Sequence, residues 1–401
     1  MTQPIILLKG QSQYGALRLH VDQLARAFQA LGQPTWIFDY ATDGMDRLIR
    51  ALNEGCRAVV SFNGIGLDVA VDDKPFYDVV QVPLLTLVVD HPAHHHKRLA
   101  AAGSRVVVDL IDRSHLAWLH DVFGADRFAI AGVLPPGGNI ETAPADADAD
   151  GFLARRDIAL LFTGTYRGAP ERPWSGLASA FVRRILDAAA DLCLAHDMLP
   201  VEEGLRRALT ALDVALAGPV RQQFWRLSAM LTDYVHSLRR HQALNVIGAS
   251  GLPLSLYGRD WEPYLEAHPH VAYGGEGSFE ETLHHLQRTR ICLNTNTNFV
   301  AGAHERVFAA QLAGAAVCTD ASAWYADHYA DGEDILLYRW TRLDALPALL
   351  RSRLDDPAGL AAIALAGRAR AEASHRWSHR AEVLLGQIDL HYGFGRSQPG
   401  H

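Results

Sequence analysis

The 401-residue sequence predicts an α/β protein of two Rossmann-like, doubly wound domains facing a cleft, with a helical insertion in the second half. Three observations predict it. Over residues 1–140, short apolar runs alternate with amphipathic stretches at the spacing of repeated βα units. After Leu134-Pro-Pro-Gly-Gly138, residues 143–150 are an Ala/Asp/Pro stretch with no apolar period, which reads as a domain boundary. The alternation then resumes from residue 158, broken by one wholly helical interval.

Strands of the first domain (1–142) are expected at 5–8, 35–38, 58–62, 84–89, 105–110 and 128–131. Their continuous apolar character implies burial on both faces of a parallel sheet. Helices fill the gaps: 21–31 places Leu24, Ala27, Phe28 and Leu31 on one face, and Gly32 ends it. A linker is read at 143–157 and the second domain at 158–375. Its strands are expected at 158–162, 253–257, 270–272, 291–293, 316–319 and 335–338, with helices at 279–287 and 305–313. Apolar residues at three-to-four spacing mark an insertion at about 177–247. Helical stretches at 343–353, 359–372 and 380–388 close the chain, and 376–401 is read as a C-terminal helix and tail.

Composition narrows the partners. A formal net charge of -8 argues against nucleic acid. Cys56, Cys193, Cys292 and Cys318 form no Cys-x-x-Cys pair and read as reduced core residues. The first nine residues have no basic segment or small-residue cleavage site, and the apolar runs are far shorter than a bilayer span. These features predict a cytoplasmic protein without a transmembrane span. Peripheral attachment at the inner face of the membrane through 15–31 carries little weight, since that helix is only modestly basic. The insertion offers an acceptor platform or a homodimer contact.

The strongest local signal is Asn294-Thr-Asn-Thr-Asn-Phe-Val-Ala-Gly-Ala-His304 running into Glu305-Arg306. It reads as strand end, polar loop and helix start, and a helix N-terminus suits a diphosphate. His304 and Arg306 would offset phosphate charge, while Glu305 would accept from ribose or sugar hydroxyls. The plain alternative is that Glu305 and Arg306 cap and solvate a helix. Gly164 and Gly258 follow strands where a backbone approaching a diphosphate closely excludes a Cβ, although glycines there also simply make turns. Tyr257 and Trp261 suit stacking on a base or sugar, but aromatics beside strands are more often core. Lys9-Gly-Gln-Ser-Gln-Tyr-Gly15 and Asn63-Gly-Ile-Gly66 are Gly-containing strand ends suited to an acceptor pocket, with Gln13, Tyr14 and Asn63 as the named candidates.

His94, His95 and His96 are consecutive, so their side chains diverge on a helix and make a poor tetrahedral site. No Asp-x-Asp ends a strand, and Asp72-Asp73 falls in a loop. Metal independence is therefore expected, with Arg259 or Arg306 carrying the positive charge. No GxGxxG joins the first strand and helix, so a dinucleotide cofactor is not expected.

The run from His304 to Asp320 resembles the donor-site helix of the CgeB-like, spore-maturation type of glycosyltransferases. Those enzymes show Arg-x-Phe-Glu, a small-residue turn with Gly, and a strand ending in Thr-Asp. Arg306, Phe308, Gly314, Thr319 and Asp320 match, whereas the family's Glu falls on Ala309. Leu161-Phe-Thr-Gly-Thr165 and Leu256-Tyr-Gly-Arg-Asp-Trp261 resemble two further family segments, so the likeness spans roughly 158–340. It implies a two-domain GT-B fold with no bound cofactor and a nucleotide-sugar donor in the second half. The donor set would be Thr163, Gly164, Thr165, Tyr257, Gly258, Arg259, Trp261, Asn294, Asn296, Asn298, His304, Glu305 and Arg306. Glu305 is the expected stand-in for the missing carboxylate at Ala309.

The resemblance also implies that the first half holds the acceptor, a glycan, lipid-linked sugar or protein hydroxyl. An acidic or His residue at a strand end would deprotonate it, which points to Asp90 or His91. The competing expectation is that Asp90 caps a helix whose first turn holds Pro92. An inverting enzyme would need that base and a retaining one would not. Rival readings are a sugar-nucleotide epimerase or hydrolase of the same fold, and a binding protein that lost its site.

Overall fold

The computed structural model describes residues 2–138, 149–296 and 299–393. They form two compact units: Met1–Ile111 with His115–Asn139 and His375–His401, and Asp112–Ser114 with Ile140–Ser374.

The first unit carries six parallel strands, β1 (Ile5–Lys9), β2 (Thr35–Asp39), β3 (Ala58–Phe62), β4 (Leu84–Val88), β5 (Val106–Leu110) and β6 (Ile130–Val133). Their order is β2-β1-β3-β4-β5-β6. Leu7, Val60, Leu85 and Val107 stand opposite one another across the register and form one apolar row. Helix Ala16–Ala30 buries Val21, Leu24 and Phe28 on that row. Burial on both faces, expected for every strand, holds for β3, β4 and β5, but the edge strands β2 and β6 are mostly half-buried. An edge strand has a neighbour on one side only.

The C-terminal segment completes this unit. Helix Trp377–Tyr392 puts Trp377, Ala381, Leu384 and Ile388 into the same core. Gly138 N–H donates to His375 O at 2.7 Å and Arg380 Nε to Pro136 O at 3.2 Å, which fixes the returning chain. Asp72 and Asp73 sit at the tip of the hairpin formed by Ala70–Val71 and Lys74–Pro75, with φ of 48° and 59°, the left-handed pair that a two-residue hairpin turn uses.

The second unit has strands β7 (Ile158–Thr163), β8 (Leu254–Tyr257), β9 (Ala272–Tyr273), β10 (Thr289–Leu293), β11 (Ala316–Asp320) and β12 (Leu336–Tyr338). All are parallel, in the order β9-β8-β7-β10-β11-β12. This is the doubly wound dinucleotide-fold order, with its switch point between β7 and β10. Leu254, Leu160, Ile291 and Ala316 form the central row of its core.

Two stretches differ from the sequence expectation. Within the expected linker 143–157, residues 143–148 lie outside the described residues, but Ala149–Arg155 is a helix whose Phe152 enters the second core. One buried Phe in a seven-residue helix shows no apolar period. The helical stretch after β7 consists of helices Ala180–Leu194, Val201–Ala211 and Gly218–Ala249. The last turns of the third bury Ala243, Leu244 and Ile247 on the sheet, so they serve as the crossover from β7 to β8. Among the described residues, no helix is long and apolar enough to cross a membrane.

Candidate active site

The carboxyl ends of β7 and β10 lie side by side at the switch point, where open α/β sheets receive ligands. Asn294 is the hub after β10. It is fully buried, with Nδ2 donating to Thr319 Oγ1 at 3.0 Å and its carbonyl accepting from Tyr338 OH at 3.2 Å. Its Oδ1 accepts from Arg306 at 2.7 Å. Asn294 therefore acts as a support that aims the Arg306 guanidinium.

Arg306 opens helix Glu305–Leu312, and His304 caps it, Nδ1 accepting from Arg306 N–H at 3.2 Å. The same Nδ1 lies 2.8 Å from Glu305 Oε2. A single nitrogen cannot accept from the amide and donate to the carboxylate at once, so one proton decides which contact forms. Burial pulls the His304 imidazole below its ordinary value, against the pull of the Glu305 carboxylate. All three residues remain partly exposed. Ala309, where the expected carboxylate is missing, is fully buried.

Gly164 and Gly258 pack against each other. Gly258 has φ +125°, and a Cβ there would lie 2.2 Å from the Gly164 carbonyl oxygen. Gly164, at φ +144°, donates its N–H to Tyr257 O at 2.9 Å and accepts from Trp261 Nε1 at 3.0 Å. Trp261 is 0% exposed and stacks on Tyr166 at 5.2 Å, so it supports the loop from the core instead of offering a stacking face to a ligand. Tyr257 already stacks on His285 at 3.9 Å. Arg259 pairs with Glu276. Thr163 is buried, and the Thr165 carbonyl accepts from Arg240 Nη1 at 3.0 Å.

Arg240 escaped the sequence reading. It projects from helix Gly218–Ala249, 8% exposed, with Nε 3.5 Å from Thr295 Oγ1 and its guanidinium 5.5 Å from the Phe162 ring centroid. Arg306 lies 5.9 Å from the same ring. Two guanidiniums thus share one aromatic platform at the switch point. His236, one turn before Arg240, is half-buried. Its imidazole is held well below its ordinary value by burial first, then by Arg240, Arg167, His304 and Arg306.

Asn296 is a loop strut. Its side chain donates to Phe299 O at 2.6 Å and Gly302 O at 3.1 Å, and its N–H donates to Asp320. Asp320 also accepts from Trp340 Nε1 at 3.0 Å, and burial pushes its carboxyl up to about 6. Asn298 lies outside the described residues.

In the first unit, Asp90 and His91 end up in opposite environments. Asp90 is exposed, its Oδ2 accepting from Asn63 Nδ2 at 2.8 Å and lying 3.4 Å from His95 Nε2. His91 is 1% exposed, packs on His115 at 4.5 Å and Trp118 at 5.7 Å, and its Nδ1 accepts from Ala93 N–H. His91, not Asp90, caps the short Pro92–His95 turn. Asn63 has φ 53° and ties Asp90 to Val89 N–H, placing it as support for Asp90. Gln13 is exposed and Tyr14 half-buried at φ 56°, both in the turn after β1. The three histidines diverge: His94 packs near His91, His95 faces Asp90, and His96 stacks on Phe123.

A family model described as "Glycosyl transferase-like" matches residues 234–386. Among solved structures, sucrose-phosphate synthase from Thermosynechococcus elongatus superposes with a TM-score of 0.56 at 15% identity, covering 97% of this chain and 99% of that one. Anabaena HepE in complex with UDP and glucose gives 0.53 at 12% identity, covering 97% and 100%. AviGT4, a glycosyltransferase involved in avilamycin A biosynthesis, gives 0.52 at 14% identity, covering 98% of each chain. No curated protein matches the chain in sequence. The chain has the two-domain GT-B fold seen in glycosyltransferases, and residues 234–386 are similar to the glycosyl transferase-like family model.

Proposed function

We propose that the chain transfers a sugar from a nucleoside diphosphate sugar to a hydroxyl of a glycan, a lipid-linked sugar or a protein, without a metal ion. The observation that carries this reading is the convergence of Arg240, Arg306 and the start of helix Glu305–Leu312 on the β7–β10 switch point, beside the closely packed backbones of Gly164 and Gly258. When the acceptor oxygen bonds to the anomeric carbon, the bond from that carbon to the phosphate oxygen breaks. The electron pair leaves with the nucleoside diphosphate. Preorganised guanidiniums stabilise that developing charge more than the ground state, which lowers the barrier. The same two charges do the work a divalent cation would otherwise do.

Glu305, at the mouth of the helix, is assigned to hydroxyls of the ribose or sugar. Asp90, exposed and held by Asn63, is assigned to the acceptor proton in an inverting reaction. HepE binds UDP, which favours a uridine donor here. The match of Arg306, Phe308, Gly314, Thr319 and Asp320 to the CgeB-like pattern supports placement near that family.

The test is thermal stability against UDP-, GDP-, dTDP- and CDP-sugars, with and without EDTA. A ligand at ~100 times its dissociation constant stabilises the folded state by about 2.7 kcal/mol. A selective shift that survives EDTA and is lost in Arg306→Ala supports the reading. No shift with any nucleotide sinks it, and donor consumption without an acceptor would favour the epimerase or hydrolase.

A further inference from the structure

Asn294, Thr295 and Asn296 leave the end of β10 in a row, each no more than 2% exposed. The first two meet the two guanidiniums: Asn294 Oδ1 accepts from Arg306 Nη1 at 2.7 Å, and Thr295 Oγ1 lies 3.5 Å from Arg240 Nε. The third is tied to the neighbouring strand, where Asp320 ends β11 at 3% exposure. Asp320 Oδ1 accepts from Asn296 N–H, and Oδ2 accepts from Trp340 Nε1 at 3.0 Å. Each carboxylate oxygen thus has its own N–H donor. A carboxamide or a protonated carboxyl keeps one good acceptor and turns hydrogen toward the second donor, so only the carboxylate satisfies both.

The groups packed around Asp320 come from four elements. Tyr338 pairs with it in the register of β12, Tyr325 OH donates to Asn296 Oδ1 at 3.4 Å, Arg239 of helix Gly218–Ala249 lies 5.2 Å from the Trp340 ring centroid, and Cys318 shares its strand. The guanidinium stays cationic, and burial moves both phenols and the thiol up, away from neutrality. Burial likewise lifts the Asp320 carboxyl to about 6, against the pull of Asn296 N–H, Arg239 and Trp340.

We propose that Asp320 is a positioning residue of the donor site, whose ionised carboxylate holds Asn294–Asn296 in the place from which Arg306 and Arg240 meet the donor diphosphate. The inference rests on the donor-site reading above. Being buried, Asp320 acts through Asn296. A proton on its carboxyl turns one oxygen into a donor facing an N–H, which loosens the strand end and with it the aim of both guanidiniums. Donor binding therefore favours the ionised form and expels that proton. Affinity is independent of this group well above pH 6 and weakens as pH falls through about 6, toward a limit of about tenfold per unit.

Titration calorimetry of the intact protein with UDP-, GDP-, dTDP- and CDP-glucose, repeated from pH 5 to pH 8, reads the dissociation constant separately from the fraction of competent molecules. Intact nucleotide sugars carry no phosphate that titrates in this range, so the pH profile reports the protein. For a donor that binds, wild-type affinity should be level above pH 7 and fall on the acid side. Asp320→Asn should bind about tenfold more weakly at pH 7 and lose the acid limb. Asp109→Asn removes a carboxyl that burial lifts to the same range in β5 of the first unit, and should keep the limb. A merely structural role would lower the competent fraction of Asp320→Asn and leave its dissociation constant and pH profile like those of the wild type, which overturns the inference. Wild-type affinity that stays level down to pH 5 overturns it as well, and either result leaves the donor site standing. Failure of every donor to bind overturns both. If Asp320→Asn does not fold, the carboxyl 13C titration of the wild-type protein decides. Saturating donor must move the Asp320 midpoint down, and an unmoved midpoint overturns the proposal.

Discussion

Gly258 stands so close to Gly164 that a Cβ on Gly258 would lie 2.2 Å from the Gly164 carbonyl oxygen. The obstacle is backbone and cannot rotate away. Gly258 also holds φ at +125°, so a side chain is strained there even before the collision. Gly258→Ala is expected to cost on the order of 2–4 kcal/mol and to displace the Gly164 loop, abolishing donor binding. Gly275→Ala is the control. Its φ is +91° but nothing lies within 4 Å of the added Cβ, so only about 1 kcal/mol should be lost. Equal losses, measured by chemical denaturation, would show that strain alone matters.

Arg306 donates to Asn294 Oδ1 while its guanidinium lies near the Phe162 ring, and both contacts use the planar shape of the group. Arg306→Ala is expected to lower kcat/KM for the donor by about 10²-fold, with folding reduced by only about 1 kcal/mol. Arg306→Lys keeps the charge but not the fork, and should recover no more than about a tenth of the lost activity. Full rescue by Lys would mean that only charge counts at this position.

The residues of the candidate site differ in how visible they were in the sequence. Strand positions were legible because buried parallel strands read as continuous apolar runs, and β3 and the helix at 279–287 fall where the pattern placed them. Helices Glu262–Ala267 and Ala323–His328 went unread, since six residues hold fewer than two turns of period. Gly164, Gly258 and Arg306 were readable because glycines after strands and charges at helix starts carry position-specific physics. Arg240 was not. One arginine among several on a long helix has no local signal, and only the crossover geometry turns it toward Thr165 and Thr295. Asp90 and His91 are adjacent in sequence, and only the packing of His91 on His115 and Trp118 separates an exposed group from a buried one.

Trp377 argues for the returning C-terminus. Its ring meets Phe62 edge-on at 5.7 Å and lies against His20 at 5.3 Å, and a Cβ on Gly137 would come within 2.6 Å of it. Trp377→Ala should destabilise the first unit by about 3–5 kcal/mol. Deleting residues 375–401 strips Trp377, Ala381, Leu384 and Ile388 from that core together, so the first unit should lose cooperative unfolding. Hydrogen exchange would locate the loss. Unchanged protection of β1 and β3 in the deletion would contradict the assignment of this helix to the first core.

Asp109 supplies a pH signature. It is buried in β5, its Oδ1 accepts from Gln387 Nε2 at 3.0 Å, and its Oδ2 has no hydrogen-bond partner. Burial pushes its carboxyl up from 3.8 to about 6, with the Gln387 contact opposing. The folded state therefore holds the proton more tightly than the unfolded chain. The stabilising contribution is present in full below the unfolded value and is lost as pH rises through about 6. Its size is on the order of 2–3 kcal/mol. Asp109→Asn keeps an oxygen for Gln387 and removes the ionisation. Relative to this variant, the wild type should lose stability between pH 4 and 7 and then run parallel to it above pH 7. Urea denaturation of both proteins across that range reads the difference directly, because the other carboxylates titrate alike in each. Parallel curves from pH 4 upward would mean that Asp109 ionises at its ordinary value and that water reaches Oδ2.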